Sequence, residues 1–436
     1  MYKKYKTKSG LTVILSPRNE TETVTLSLLC GAGSRHENKI NNGISHFIEH
    51  LIFKGTKKRP TTLDISKELD GIGAVFNAYT SKDHTNFYIK AASEKIELAF
   101  DVLSDMLMNS KFDPDDIEKE KGVILEEMKM YEDNPTMYLE DIFENLIFEN
   151  HELGRHIIGT RETVLKTDRK LIMQYLSELY VSNNMVLVLA GKFSNPKARR
   201  LIDKYFSVSR RIKSGGKKIG LKKFADKQNK PKIFLMNKKT EQVHVAIGFP
   251  GYNYGHKDLM ALYVLAVILG GNMSSRLFIN IREKLGLCYF IKADVNIYQD
   301  TGNLMVHAGL DKSRIKMAIP LIIKELERIK DEGITKEELK LAQDFLAGHL
   351  VIQMEDSENI ANYFGRQEIL TGKIVETKDR IKKIKRVSLG EVNRAAKDVI
   401  KKEKINLAVI GPFKDKGMFW GLIKQGLDLK KNFLFS

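Results

Sequence analysis

Apolar residues along this chain fall into short strand-like runs and longer stretches of helical period, and the order of these elements occurs twice. Residues 11–15 and 24–30 read as two strands joined by a polar turn, and residues 232–236 and 243–249 repeat that reading at an offset of about 220 residues. Phe87-Tyr88-Ile89-Lys90-Ala91-Ala92 corresponds in the same way to Leu304-Met305-Val306-His307-Ala308-Gly309, and each run leads into a long helix beginning near Glu94 or Ser313. A further helix is predicted from Asp113-Pro114, with Asp as N-cap and Pro at the first helical position. Its counterpart starts at Thr335-Lys336-Glu337-Glu338, a capping box. Both halves close with a helix and a buried strand, residues 185–190 and 405–410.

This order predicts an α+β fold of two similar domains, each a mainly antiparallel sheet with helices packed on one face. Residues 207–231 are rich in Lys, Gly, Ser and Asn and lack apolar periodicity, which marks a linker. The predicted boundaries are 1–208 for the first domain, 209–231 for the linker and 232–436 for the second domain.

Within the first half, residues 42–53 contain His46-Phe47-Ile48-Glu49-His50. Asn41 or Asn42 can cap this segment as a helix, and Gly55 can stop it. At about 100° per residue, Ile44, Phe47, Ile48, Leu51 and Ile52 form one apolar stripe, with His46, Glu49 and His50 on the opposite face. Two imidazoles one turn apart can reach a single zinc ion, but a catalytic zinc normally takes three protein ligands and leaves a fourth position to water. The helix from Asp113 offers the missing carboxylate. Glu120 and Glu127 are seven residues apart and share a face, so Glu127 is the favoured ligand and Glu120 a group that orients a ligand histidine. Glu126 is the fallback ligand.

Composition narrows the class. A chain of 436 residues, 42% apolar and 29% charged, is globular and too long for one core. Two cysteines, Cys30 and Cys288, are too few for a disulfide framework. The first residues are basic without the apolar core of an export signal, and the apolar stretch 259–271 is shorter than the roughly 18 residues a bilayer span needs. A soluble, cytoplasmic protein is expected. The net charge of +17 lies wholly after residue 210, since residues 1–210 hold 30 basic and 30 acidic side chains. It reads as a solvated basic face, with electrostatic steering of acidic ligands as the other reading, and no nucleic-acid-binding motif accompanies it.

These residues make the chain resemble the inverzincin peptidases of the pitrilysin, insulin-degrading and mitochondrial-processing family, whose signature is H-x-x-E-H. The resemblance implies a third ligand 76 or 77 residues beyond the motif, and Glu127 lies 77 after His50, with the family's supporting glutamate falling on Glu120. It covers nearly the whole chain, because short members consist of two similar halves with a metal site only in the first. At the repeat offset His46, Glu49 and His50 correspond to Ala266, Leu269 and Gly270. The resemblance further implies that residues 73–80 form an edge strand that pairs with an extended peptide through Asn77 and Ala78. Arg282 and Tyr289 are implied to hold the substrate and stabilise the oxyanion.

The expected activity is that of a zinc-dependent endopeptidase with one Zn2+ per chain, in which Glu49 activates a water held by the metal. Peptides or unfolded segments are the expected substrates, cut inside a closed chamber that a homodimer completes, with no nucleic-acid or membrane partner. One alternative is a catalytically inactive homologue that serves as a partner or scaffold subunit. The other is a basic nucleic-acid-binding protein.

Overall fold

The repeat read in the sequence is present as two sheets of matching topology. The computed structural model describes residues 2–206 and 220–429, so the first part of the expected linker, 209–219, lies outside the described residues. The first sheet contains β1 (Lys3–Lys6), β2 (Thr12–Pro17), β3 (Thr23–Cys30), β4 (Val75–Thr80), β5 (Thr85–Ala92) and β6 (Met185–Gly191), in the order β1-β2-β6-β3-β5-β4. The second contains β7 (Lys232–Asn237), β8 (Gln242–Gly251), β9 (Cys288–Ile297), β10 (Gly302–Asp311) and β11 (Asn406–Gly411), in the order β7-β11-β8-β10-β9. Apart from the extra edge strand β1, the two orders superimpose strand for strand. Each sheet is antiparallel except for one pair, β2 with β6 and β7 with β11.

The α+β class with mainly antiparallel sheets is therefore as expected, and the sheet faces add a correction. One face of the first sheet buries Val13, Leu26 and Leu187 against the helices Ile44–Ile52, Ile96–Asn109, Arg169–Leu179 and Asn195–Phe206. The opposite face is covered as well. Ile14, Leu29, Val186 and Val188 pack against Ile360, Ala361 and Phe364 of the helix Ser357–Thr371. In the second sheet, Ala246, Met305, Ala408 and Ile410 pack likewise against Leu139, Ile142 and Phe143 of the helix Pro135–Ile147. Helices thus lie on both faces of each sheet.

The chain divides accordingly. One compact unit comprises Met1–Lys129, Arg155–Lys222 and Val351–Glu376, and the other comprises Met130–Gly154, Lys223–Leu350 and Thr377–Ser436. A single cut at residues 209–231 does not separate them, because each half of the chain contributes one helix to the other half's sheet. The cause is visible in the central strands. All seven residues of β6 and all six of β11 are buried, as happens when a strand is covered on both sides.

The helix starts read from the sequence are present. Pro114–Asp133 begins at Asp113, whose carboxylate accepts the Asp115 N–H at 3.0 Å. Lys336–Gln353 begins with Thr335 and Glu338 exchanging hydrogen bonds. The apolar stretch from residue 259 is the helix Leu259–Ala266, with Leu262, Val264 and Leu265 buried in the second unit's core. Among the described residues no helix is long and apolar enough to cross a membrane.

Candidate metal centre

The helix Ile44–Ile52 presents the histidines because its other face is fully committed to packing. Ile44, Phe47, Ile48, Leu51 and Ile52 are each at most 1% exposed. Its start corrects the expected cap. Neither Asn41 nor Asn42 is the N-cap; the position belongs to Gly43, at φ +94°. The free N–H groups are taken by the buried carboxylate of Glu37, which accepts from Gly43 N at 2.7 Å, Ser45 N at 2.9 Å and Asn42 Nδ2 at 2.9 Å. A negative charge at that end also complements the helix dipole. Only glycine fits at residue 43: besides its positive φ, a Cβ there would lie 2.6 Å from the Ile158 carbonyl oxygen.

The helix Pro114–Asp133 brings the carboxylates. Ile117, Glu120 and Ile124 form its buried stripe, and Glu127 continues it by one more step of three. The structure brings His46, His50 and Glu127 together, with one donor atom from each within 4.8 Å of the others. Glu127 Oε2 stands 3.6 Å from His46 Nε2 and 3.4 Å from His50 Nε2. Tetrahedral zinc with bonds of about 2.0–2.1 Å sets its donors about 3.3–3.4 Å apart, so these separations fit that ion. Glu126, the fallback, turns outward and pairs with Lys129 at 2.7 Å.

Outer contacts orient the set. Glu120, 3% exposed, accepts from His50 Nδ1 at 3.0 Å. That bond turns the Nε2 edge of the ring toward Glu127. Its other oxygen meets Lys54 Nζ at 2.5 Å. His46 has no such partner among the described residues: its Nδ1 is buried and unpaired, and its ring packs 4.6 Å from that of His50.

Electrostatics follow from this crowding. Burial alone would lower the His50 pKa, but hydrogen bonds and charge from Glu120 and Glu127 raise it to about 9. Burial opposes ionisation of Glu127, yet the two histidines outweigh it and bring the pKa down to about 2. Glu120 is likewise lowered against burial, by His50 and Lys54. This is a concentrated donor set of the kind that cations occupy.

Glu49 lies beside the ligands, and its Oε2 accepts the Thr80 hydroxyl at 2.6 Å. Asn77 and Ala78 are in β4, the edge strand of the first sheet, where Asn77 is exposed and its Oδ1 accepts the Ala78 N–H at 2.8 Å. Arg282 and Tyr289 belong to the second unit. Arg282 Nε donates to the Tyr289 carbonyl at 2.8 Å, and the Tyr289 side chain is exposed. Ala266, Leu269 and Gly270, at the positions equivalent to the motif, are buried. Glu37, Lys54 and Thr80 were not among the residues expected from sequence. Lys54 sits one helical turn beyond His50, a spacing that could have flagged it.

A two-unit α+β fold with this donor set on two helices defines a candidate metalloprotein, and comparison with known proteins specifies its class. Residues 12–161 match the family model "Insulinase (Peptidase family M16)", and residues 166–346 match "Peptidase M16 inactive domain". A Bacillus subtilis protein named an uncharacterized zinc protease is 34% identical over 412 residues, covering 94% of this chain and 98% of its own length. A Streptomyces coelicolor protein so named is 33% identical over 409 residues, covering 93% of this chain and 89% of its own. Among solved structures, a protease from Helicobacter pylori aligns with a TM-score of 0.88 at 23% identity, over 94% of this chain and 99% of that one. The chain belongs to peptidase family M16, the insulinase family, as a short two-domain member.

Proposed function

We propose that this protein is a zinc-dependent endopeptidase in which His46, His50 and Glu127 hold one Zn2+ and Glu49 is the general base. The single observation that carries the proposal is the convergence of those three side chains at zinc-compatible separations, with a carboxylate one residue away in the same helix. The names of the relatives, zinc proteases of the same family, support it.

Zinc bound there would polarise the scissile carbonyl and lower the pKa of water. Glu49 takes a proton from the attacking water and delivers it to the leaving amine nitrogen as the C–N bond breaks. Glu120 accepts from His50 Nδ1, which would keep Nε2 for the ion when zinc is bound. An extended peptide adds to the free edge of β4 beside Asn77 and Ala78, taking over the N–H now bonded to the Asn77 side chain. Arg282 and Tyr289, as the family resemblance implies, are substrate-binding residues.

A closed chamber formed by a homodimer restricts substrates to peptides and unfolded segments. The site of action is the cytoplasm, with no nucleic-acid or membrane partner. Incubating the protein with a peptide library, with and without a chelator, and mapping cuts by mass spectrometry tests the reading. Glu49→Gln should retain zinc and lose cleavage; cleavage indifferent to chelator, or a Glu49→Gln variant as fast as wild type, would refute it. A monomer by light scattering would remove the homodimer.

A further inference from the structure

The carboxylate of Glu49 is tied to the neighbouring sheet by one short bond, from the hydroxyl of Thr80 at the end of β4 to Oε2 at 2.6 Å. The direction of that bond follows from the available protons. An ionised carboxylate only accepts, and the other hydroxyl in reach, Thr85 Oγ1 at 3.4 Å, lies 2.8 Å from the Ala32 carbonyl and donates there. Thr80 therefore gives its single hydrogen to Glu49.

Thr80 is itself firmly placed. It pairs with Thr85 across the β4–β5 hairpin, and the turn is closed by Ser81 N–H to the His84 carbonyl at 2.8 Å. The Ser81 hydroxyl adds a second bond to that carbonyl at 2.9 Å and lies 2.8 Å from His84 Nδ1. From the other side the chain at Gly33 presses so close that a Cβ there would lie 2.3 Å from the Ser81 carbonyl oxygen.

We propose that Thr80 is a positioning residue for the base, fixing one oxygen of Glu49 so that the other is aimed at the proton it receives. This role rests on the peptidase function proposed above. Its consequence is geometric. The same strand that offers its edge to the peptide also sets the carboxylate, so the scissile bond and the base take their positions from one rigid element. Without the hydroxyl, the terminal torsion of Glu49 returns to the broad distribution normal for a carboxylate.

Thr80→Val keeps the shape and the β-branched preference for strand while removing the hydroxyl; Thr80→Ser keeps the hydroxyl. With zinc-loaded protein and a fluorogenic peptide, Thr80→Val should lower kcat roughly 10- to 100-fold, the scale of a lost hydrogen bond to a charged group. KM should stay within about twofold of wild type, which separates orientation of the base from substrate binding. The zinc dissociation constant, from chelator competition, should not move, and the melting temperature should fall by no more than the few degrees that one lost hydrogen bond costs. Thr80→Ser should recover most of kcat. The role is overturned if Thr80→Val turns over like wild type, if both variants fall together, or if the loss tracks weaker zinc binding or unfolding at the assay temperature. A wild-type protein with no chelator-sensitive hydrolysis would overturn the peptidase function and this role together, whereas an active wild type with an unaffected valine variant would remove the role of Thr80 alone.

Discussion

Replacing Glu120 with Gln changes no volume, yet no orientation of an amide can satisfy both of the donors that this carboxylate serves. One oxygen accepts from His50 Nδ1 at 3.0 Å and the other meets Lys54 Nζ at 2.5 Å, in a side chain only 3% exposed. An amide offers one acceptor and one NH2, so the NH2 must face either the imidazole N–H or the ammonium. If the oxygen stays on His50, the ring keeps its orientation and loses only the negative charge behind it. If the oxygen turns to Lys54, His50 faces a donor and rotates away. A buried donor left unpaired costs about 1–3 kcal/mol, and losing the partner behind a ligand histidine typically weakens metal binding about 10- to 100-fold. At 1.36 kcal/mol per decade that is about 1.4–2.7 kcal/mol, consistent with the hydrogen-bond figure. Zinc affinity of the wild type, Glu120→Gln and Glu120→Ala would be compared by competition with a chromophoric chelator. The expected order of affinity is wild type, then Gln, then Ala, with Gln at least about tenfold below wild type. A Glu120→Gln dissociation constant equal to that of the wild type would refute the view that this carboxylate orients His50.

Two further outcomes are expected. Gly43→Ala should cost about 2–5 kcal/mol in urea unfolding and reduce bound zinc, since it combines a left-handed backbone position with a clash against the Ile158 carbonyl; unchanged stability would contradict the tight helix start. Asp101→Asn should destabilise the protein by about 1–3 kcal/mol at neutral pH, by weakening the hold on Arg59, a side chain 1% exposed that also meets Asp105 at 2.9 Å and Glu68 at 2.7 Å. Burial opposes ionisation of Asp101, but Lys58 and Arg59 hold its pKa below the ordinary 3.8. A lowered pKa stabilises the fold above that value and the gain fades as pH falls below it, so the difference between wild type and variant should shrink in acid. A difference that grew in acid would refute this.

Much of the centre was legible along the chain because its geometry is local. His46, Glu49 and His50 share a face through helical periodicity alone, and the stripe opposite them is buried as its spacing requires. Glu120 and Glu127 share a face for the same reason. The duplication was legible because each strand and cap is a short-range pattern, and the sheet orders reproduce it. Thr80 was partly within reach, two residues beyond Ala78 on the same side of a strand, but period two cannot say which carboxylate lies opposite. Glu37 carried no signal at all, since the N–H donors it accepts from lie at a chain reversal without periodicity.

What the amino-acid order decided by itself was therefore the local chemistry: which residues are helical, which face is apolar, and which donors share a turn. Only tertiary packing decided how distant pieces are assigned, with Ser357–Thr371 covering the first sheet, Pro135–Ile147 covering the second, and a carboxylate 77 residues from His50 meeting both histidines. The reason is that local periodicity encodes which way a side chain points from its own backbone. Which surface it then meets depends on burying whole faces against one another, and the apolar runs 185–191 of β6 and 407–411 of β11 state only that both faces must be covered, not by which helix.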